Sequence, residues 1–246
     1  MNINYAIEIL NRGYLLDDDS NKIPLTSNID IDESDFLFDF ICNDKTIKNI
    51  LEIGCGHGIS SLTISSALNN RNDSKHTILD PLQKSLFDDL GVKSLADNGF
   101  SKINFLYERS EKVLPNLTAG YDLIFIDGWH TFDQVIIDLF YSFELLKIGG
   151  YVIIDDADFR SVGKAISYYL KCPNISYVQG IKRDIKFVSL KRKIGMIIRS
   201  VLSEKFAQFI LPKILFDNYF YTLSPTMVIL KKNNIDNRPW NFHEIF

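Results

Sequence analysis

From residue 49 onward, short apolar runs alternate with segments of helical periodicity. This alternation is typical of repeated βαβ units, in which the strands form a parallel sheet and the helices cover both of its faces. The runs that predict strands are 49–53, 76–80, 103–107, 121–127, 151–155 and 226–231, with a seventh at 185–190. We therefore expect an α/β fold with a doubly wound, mostly parallel seven-stranded sheet and helices on both faces.

The clearest helical pattern follows the fourth predicted strand. Its apolar residues recur at spacings of three and four, so they share one helix face. They are Phe132, Val135, Ile136, Leu139, Phe140 and Phe143. Gly149 and Gly150 are expected to end this helix, because glycine is a poor helix former and a common helix terminator.

Residues 191–221 interleave basic side chains with apolar ones, as an amphipathic helix does. Such a helix can pack on its own domain, join two copies of the chain as a homo-oligomer, or lie on a membrane surface. We favour packing within the domain or against a second copy, because amphipathic helices are far more common in soluble proteins than at membrane surfaces.

The formal net charge of -4 comes from 31 acidic and 27 basic side chains. A field of this sign does not favour polyanions, so nucleic acid is not an expected partner. The three cysteines are far apart and follow no ligand spacing, which argues against a disulfide framework and against structural zinc. No secretory leader pattern and no apolar run of about 18 residues is present, so we expect a soluble cytoplasmic protein without a transmembrane segment.

A glycine-rich turn follows the first predicted strand and opens a helix. Gly54, Gly56 and Gly58 let the backbone turn sharply and approach a ligand closely. The free N–H groups of the helix that begins near Ile59 point toward such a ligand. A dinucleotide-binding turn has the spacing G-x-G-x-x-G, whose third glycine would stand at position 59. The isoleucine there speaks against a dinucleotide, and a tight turn without any ligand is the remaining alternative.

Glu52 lies inside an otherwise apolar strand and needs a hydrogen-bond donor if it is buried. Together with the glycines at 54, 56 and 58, it resembles the Glu/Asp-x-Gly-x-Gly-x-Gly motif of the class I methyltransferases. The resemblance implies a Rossmann-like fold in which the turn holds the methionine portion of S-adenosylmethionine. It also implies that Asp80, at the end of the second strand, binds the ribose hydroxyls. The alternative is that Asp80 only caps a turn.

Carboxylates also follow the fourth and fifth strands. Asp127 ends the fourth strand, and Asp155 and Asp156 end the fifth. If these strands are neighbours in a parallel sheet, the three carboxylates meet at its carboxyl edge, where ligands bind in such folds. Three like charges repel one another unless protons or a cation compensate them, and oxygen ligands suit magnesium or a similar hard ion. Helix capping is the alternative for each aspartate alone.

With these residues the resemblance narrows to the metal-dependent O-methyltransferases. The catechol type holds magnesium with an Asp after the fourth strand and an Asp-Asn pair after the fifth. Asp127, Asp155 and Asp156 match these positions, although Asp156 replaces the asparagine. The macrocin and mycinamicin sugar O-methyltransferases are similar in carrying Asp-Asp at the pair and a histidine three residues after the first Asp, as His130 does here. The resemblance implies that His130 is the general base, and a structural role is the alternative.

Three further residues match the catechol type by position. Trp129 corresponds to a tryptophan beside the cofactor, Ser60 to a serine at the methionine carboxylate, and Ser110 to a serine near the adenine. The alternatives are packing for Trp129 and helix capping for the two serines.

The expected organisation is a single methyltransferase domain over residues 1–246. Residues 1–48 form an N-terminal cap, 49–160 the cofactor and metal core, and 161–246 a C-terminal part that includes the amphipathic insertion and the last strand. The resemblance implies an S-adenosylmethionine-dependent, divalent-metal-assisted O-methyltransferase. Its acceptor is expected to be a small molecule with neighbouring hydroxyls, a sugar moiety in preference to a catechol-like phenol.

Two other functional classes stay open from the sequence. An NAD-dependent oxidoreductase would use the same glycines and Asp80 for its dinucleotide. A non-catalytic module would keep the fold, with or without the cofactor, and would use residues 191–221 to bind a partner or a membrane.

Overall fold

The computed structural model describes residues 3–101, 103–181 and 225–244. The helices are α1 (Ala6–Arg12), α2 (Ile31–Asn43), α3 (Ile59–Leu68), α4 (Gln83–Leu86), α5 (Leu90–Asp97), α6 (Ser110–Val113), α7 (Phe132–Leu145) and α8 (Arg160–Tyr169), with a 3-10 turn at Leu114–Asn116. The strands are β1 (Tyr14–Leu16), β2 (Lys22–Pro24), β3 (Asn49–Ile53), β4 (Lys75–Leu79), β5 (Asn104–Leu106), β6 (Tyr121–Ile126), β7 (Leu146–Ile154), β8 (Ile175–Ile181) and β9 (Met227–Lys232).

Seven of these strands form one sheet in the order β5-β4-β3-β6-β7-β9-β8. The first five strands of this order are parallel, and β9 runs antiparallel to both of its neighbours. The central strands are almost continuously buried, as expected for parallel strands that are covered on both faces. The predicted α/β class, with a mostly parallel seven-stranded sheet, is therefore confirmed.

The six strongest strand predictions are confirmed, although β7 begins earlier than predicted, at Leu146. The predicted strand at 185–190 lies outside the described residues. The seventh strand of the described sheet is β8, which the sequence pattern did not indicate. Its burial is mixed, and it contains Gln179 and Gly180. A strand of this kind, at the end of a sheet, carries a weaker apolar pattern than a central one.

The predicted end of the long helix at Gly149 and Gly150 is wrong. Helix α7 ends at Leu145, and β7 follows it directly. Both glycines lie within β7, where the pairing with β6 shifts its register between Tyr121 and Leu123. Gly149 has a φ of 88°, and a Cβ on Gly150 would lie 3.0 Å from the backbone of a neighbouring strand. The glycines therefore accommodate an irregularity within β7 and do not end a helix.

Residues of the N-terminal segment pack on one face of the sheet. Helix α2 lies against α3 and begins with a capping box, in which Asp30 and Glu33 each accept the other's backbone N–H. Leu37 and Ile41 of α2 share one buried cluster with residues of α3 and of the central strands. Glu52 and Ile50 alternate with Leu51 along β3, so the side chain of Glu52 lies on this same face of the sheet.

None of the helices in the described part of the chain is both long enough and apolar enough to cross a bilayer. Residues 191–221, the predicted amphipathic segment, lie outside that part.

Candidate functional site

Main-chain hydrogen bonds continue past the ends of the central parallel strands. They join each loop at the carboxyl edge to the strand beside it. The bonds run from the amide of Gly54 to the carbonyl of Leu79, from Asp127 to Ile53 and from Asp155 to Ile126, at distances of 2.8, 2.8 and 3.0 Å. The loops after β3, β6 and β7 are therefore held side by side at one edge of the sheet.

The glycine turn, residues 54–58, needs glycine for steric reasons. Gly54, Gly56 and Gly58 have φ values of 94°, 51° and 80°, in the region that other residues avoid. A Cβ on Gly54 would lie 1.9 Å from the carbonyl oxygen of Asp127, and one on Gly58 would lie 2.8 Å from the backbone of Gly91. The turn is thus packed against the loop that carries Asp127 on one side and against α5 on the other.

Asp80 supports the glycine turn from the end of β4. Its Oδ2 accepts the backbone N–H groups of Cys55 at 3.0 Å and Gly56 at 2.9 Å, and its Oδ1 accepts that of Leu82 at 2.7 Å. The buried side chain of Gln83 donates to the carbonyl of Gly56 and, at 3.3 Å, to Asp80. Asp80 is 5% exposed. Its hydrogen bonds are with the turn and with Leu82 and Gln83.

Glu52 is fully buried, and both of its carboxylate oxygens face protein groups. Ser60 Oγ donates to Oε1 at 2.6 Å, and His76 Nε2 lies 2.9 Å from Oε2. His76 in turn contacts Ser65 through Nδ1, at 3.0 Å. Ser60 therefore supplies a donor that the buried Glu52 requires, and His76 Nε2 lies at ion-pair distance from the second oxygen. Because the hydroxyl proton of Ser60 is used here, this side chain does not offer it to a ligand.

The N-terminal segment reaches over the glycine turn at Thr26 and Ser27. His57 Nδ1 lies 3.2 Å from the amide nitrogen of Thr26 and 3.0 Å from its carbonyl oxygen. The carbonyl oxygen of Ser27 would lie 3.3 Å from a Cβ on Gly56, which is closer than an ordinary van der Waals contact. The segment before α2 is therefore part of the wall around the turn.

Asp127, His130 and Asp156 form a compact group beside the glycine turn. One ligand atom from each of these residues lies within 4.8 Å of the others. His130 Nε2 is 3.6 Å from Asp127 Oδ1 and 3.4 Å from Asp156 Oδ2. The carboxylate of Asp127 raises the pKa of His130 above its ordinary value, although partial burial acts in the opposite direction. The group thus concentrates negative charge that a proton or a cation would compensate.

Asp155 lies next to this group and is buried on the side that α2 covers. Side chains alternate along a strand, and Asp155 continues the face of β7 that α2 covers. It is 5% exposed, and its Oδ1 accepts no hydrogen bond from the described residues. Burial raises the pKa of this carboxyl well above its ordinary value, and the charges of Asp127, Glu33 and Asp156 add to the effect. The structure therefore groups His130, in place of Asp155, with the other two aspartates.

Asp156 has a φ of 49°, which is strained for a residue with a side chain. Aspartate tolerates this conformation better than most residues do, but it still costs on the order of 1 kcal/mol. Asp73, Asp88 and Asp89 also have positive φ values, so the conformation by itself assigns no function to Asp156.

Ser110 belongs to a buried polar network at the side of the site. Its hydroxyl donates to Asp138 Oδ1 at 2.6 Å, and Gln134 Nε2 donates to both residues, at 2.8 and 3.1 Å. Burial raises the pKa of Asp138 to about 6 in spite of these donors. Trp129, in contrast, is 64% exposed beside the Asp127 group.

Sequence reasoning missed the residues that support the site from outside its motifs. His76, Gln83, Gln134 and Asp138 supply buried hydrogen bonds, and Ser161 donates to the backbone of His130. One signal was available for His76. It stands in the strand predicted next to Glu52, and a histidine there is a natural donor to a buried carboxylate.

We predict that Gly54→Ala destabilises the fold far more than Gly99→Ala. Both positions have a positive φ, so both variants incur a backbone cost of about 1–2 kcal/mol. Only at Gly54 would the new Cβ collide with backbone, because nothing lies within 4 Å of a Cβ on Gly99. Urea denaturation measures both free energies of unfolding. Equal losses would contradict the close packing of the turn against the Asp127 loop.

We also predict that Asp138→Asn changes how stability depends on pH. The folded-state pKa of about 6 lies above the ordinary value of 3.8, so this group stabilises the fold as the pH falls through 6. Its contribution should differ by roughly 1 kcal/mol between pH 5 and pH 7. Denaturation of both proteins at the two pH values isolates this difference. An unchanged pH dependence in the variant would show that Asp138 titrates normally.

Comparison with known proteins identifies the central part of the chain. Residues 51–157 match the model of a methyltransferase domain family. The malonyl-[acyl-carrier protein] O-methyltransferase 2 of Ilyobacter polytropus is 30% identical over 170 residues, which is 68% of this chain and 58% of that protein. The chain therefore spans little more than half the length of this curated relative.

Two solved structures share the fold at low sequence identity. A Corynebacterium glutamicum protein is 14% identical, with 86% of this chain and 85% of that chain covered and a TM-score of 0.57. The O-methyltransferase of Bacillus cereus, solved in complex with SAH, is 16% identical, with 70% and 80% covered and a TM-score of 0.55. The predicted resemblance to methyltransferases is therefore confirmed for residues 51–157, which match a methyltransferase domain.

Proposed function

We propose that the chain is an S-adenosylmethionine-dependent O-methyltransferase that acts on a small molecule with neighbouring hydroxyls, assisted by a divalent cation. The observation that carries the proposal is the contact between the glycine turn and the Asp127 loop. Gly54 packs on the carbonyl of Asp127, so a cofactor on the turn would lie beside the Asp127–His130–Asp156 group. The two parts then form one site, as methyl transfer requires.

The glycine turn and the start of α3 would hold the methionine portion of the cofactor. The first N–H groups of a helix have no partner within it, and those of α3 begin at Ile59, because the amide of Gly58 donates to the carbonyl of Cys55. Glu52 and Ser60 act in this proposal by fixing the turn through their mutual hydrogen bond. Asp80 supports the same turn, and, following the resemblance, it is proposed to bind the ribose hydroxyls.

Two further residues are proposed to lie along the cofactor. Ser110 is held at the adenine side by Asp138 and Gln134. Trp129 offers an exposed aromatic surface next to His130.

The residues of the Asp127 group suit magnesium or a similar divalent cation. Asp127 and Asp156 supply carboxylate oxygens close together, which hard cations prefer. The Oδ1 of Asp155 is buried beside them without a hydrogen bond, and a cation would compensate such a group. When bound, a cation of this kind lowers the pKa of an acceptor hydroxyl. We propose Asp127, Asp155 and Asp156 as its ligands, with His130 adjacent.

His130 is proposed to receive the proton of the acceptor hydroxyl on Nε2. Asp127 and Asp156 flank that nitrogen, so they stabilise the imidazolium that forms. The acceptor oxygen then forms a bond to the methyl carbon while the bond from that carbon to the cofactor's sulfur breaks. S-adenosylhomocysteine leaves as a neutral thioether. The residues contribute mainly alignment and charge placement.

The acceptor is proposed to be a sugar moiety in preference to a catechol-like phenol. The preference follows the resemblance of Asp156 and His130 to the sugar O-methyltransferases. Phe159, which is 48% exposed, and Trp129 provide apolar faces beside the group. Such faces pack on the C–H face of a sugar as well as on a phenol ring, so they do not separate the two acceptors.

The alternative classes find less support in the structure. A dinucleotide turn requires a third glycine at position 59, where the buried side chain of Ile59 begins α3. A non-catalytic module has no need for the Asp127–His130–Asp156 group. Its proposed contact, residues 191–221, lies outside the described residues, as does the predicted homo-oligomer contact.

We retain a cytoplasmic location as part of the proposal. No disulfide joins the three cysteines, Cys42, Cys55 and Cys172, as expected in a reducing compartment.

We predict that the protein binds S-adenosylhomocysteine more tightly than NADH. The spacing of the glycine turn and the buried Ile59 both favour the smaller ligand. Isothermal titration calorimetry with each ligand measures the two dissociation constants. Tighter binding of NADH would overturn the proposed function and favour the oxidoreductase.

We predict that Asp127→Asn lowers magnesium-dependent methyl transfer about a hundredfold, while binding of S-adenosylhomocysteine stays within about twofold. The expected loss corresponds to roughly 3 kcal/mol of charge stabilisation. Transfer of labelled methyl groups to catechol and to a panel of pyranosides, with magnesium and with EDTA, measures the effect. Asp133→Asn is the matched control, because Asp133 is an exposed aspartate at the start of α7. Wild-type turnover that survives chelation would contradict the metal-assisted mechanism.

A further inference from the structure

The first turn of α8 contacts His130 in two places. Ser161 Oγ donates a hydrogen bond to the backbone carbonyl of His130. The ring of Phe159 meets the imidazole edge-on, with centroids 5.4 Å apart and an interplanar angle of 78°. One contact therefore holds the backbone of His130, and the other limits the rotation of its side chain.

The same turn is tied to Asp156. The amide of Phe159 donates to the carbonyl of Asp156 at 2.9 Å, and α8 begins immediately after Phe159. His130 belongs to the loop after β6, whereas Asp156 belongs to the loop after β7. The contacts of Phe159 and Ser161 therefore join the two loops whose side chains form the Asp127–His130–Asp156 group.

The hydrogen bond of Ser161 is not one that the helix itself needs. A serine inside a helix usually donates to a carbonyl of its own helix, as Ser167 does to Gly163 at 2.8 Å. Ser161 instead donates to a carbonyl 31 positions earlier in the chain. The hydroxyl of Ser161 therefore joins the start of α8 to the loop after β6.

We propose that Ser161 is a positioning residue that, together with the ring of Phe159, holds His130 in place beside Asp127 and Asp156. This inference rests on the proposed function, in which these three residues serve one reaction centre. Without the hydroxyl, the carbonyl of His130 loses its donor and the loop after β6 is free to shift. Nε2 of His130 would then no longer be held beside the carboxylates of Asp127 and Asp156.

Binding of Mn²⁺, measured by isothermal titration calorimetry, tests the proposal without an acceptor. Ser161→Ala should weaken Mn²⁺ binding about tenfold, because the loop that carries Asp127 and His130 loses its tie to the loop that carries Asp156. Ser161→Thr retains the hydroxyl and should restore wild-type affinity. Ser167→Ala is the matched control, since it removes a hydroxyl from the same helix, and should leave the affinity unchanged. Wild-type affinity in Ser161→Ala would overturn the proposal.

A second measurement separates this inference from the proposed function. The chain has four histidines, so the ring signals of His130 can be followed by ¹H–¹³C NMR without metal and assigned with His130→Gln. They should move or split in Ser161→Ala, return in Ser161→Thr and stay fixed in Ser167→Ala. If the wild type binds no Mn²⁺, the metal-assisted function fails, and unmoved His130 signals in Ser161→Ala would then overturn the positioning role as well.

Phe159→Leu provides the test if Ser161→Ala does not fold. Phe140→Leu is its matched control, because the two rings are 48% and 49% exposed. The His130 signals should move in Phe159→Leu and stay fixed in Phe140→Leu. Equal spectra from the two variants would contradict the role of the first turn of α8.

Discussion

The register of the four parallel strands β4, β3, β6 and β7 determines where every candidate group lies. Parallel pairing brings the carboxyl ends of these strands to one edge, and hydrogen bonds past the strand ends hold the loops in the same register. The carbonyl of Ile53 accepts a hydrogen bond from the amide of Asp127, and the carbonyl of Ile126 accepts one from the amide of Asp155. A shift of one residue in either pair would turn the carboxylates to the opposite face of the sheet. The site is therefore a consequence of pairing that the core already requires.

Buried polar groups connect this edge to the interior. Glu52 is accommodated by Ser60 and His76, and Asp80 is accommodated by the amides of the glycine turn. Burying such groups costs free energy unless each is hydrogen-bonded. Their hydrogen bonds hold the glycine turn and the start of α3 in place. The Asp127–His130–Asp156 group differs, because its negative charges lie close together and remain partly open to solvent. This excess of negative charge favours the binding of a proton or a cation.

Much of this arrangement could be predicted from the sequence, because its signals are local. Apolar runs indicated the central strands, and the positions of Gly54, Gly56 and Gly58 indicated a turn with positive φ angles. The meeting of Asp127 and Asp156 followed from strand order alone. The burial of the Asp155 side chain could not be predicted in the same way, because it depends on where β7 ends and on the packing of α2 over that end. The contacts of Ser161 and Asp138 join residues far apart in the chain, and no spacing indicates them.

The central claim is that the glycine turn and the Asp127–His130–Asp156 group are two halves of one methyl-transfer site. A crystal structure with S-adenosylhomocysteine and Mn²⁺, with the metal located by its anomalous scattering, tests this most directly. The account predicts the cofactor's methionine portion on residues 54–58 and an anomalous peak in contact with Asp127 and Asp156. Manganese bound away from these aspartates, or a cofactor bound away from the glycine turn, would contradict it.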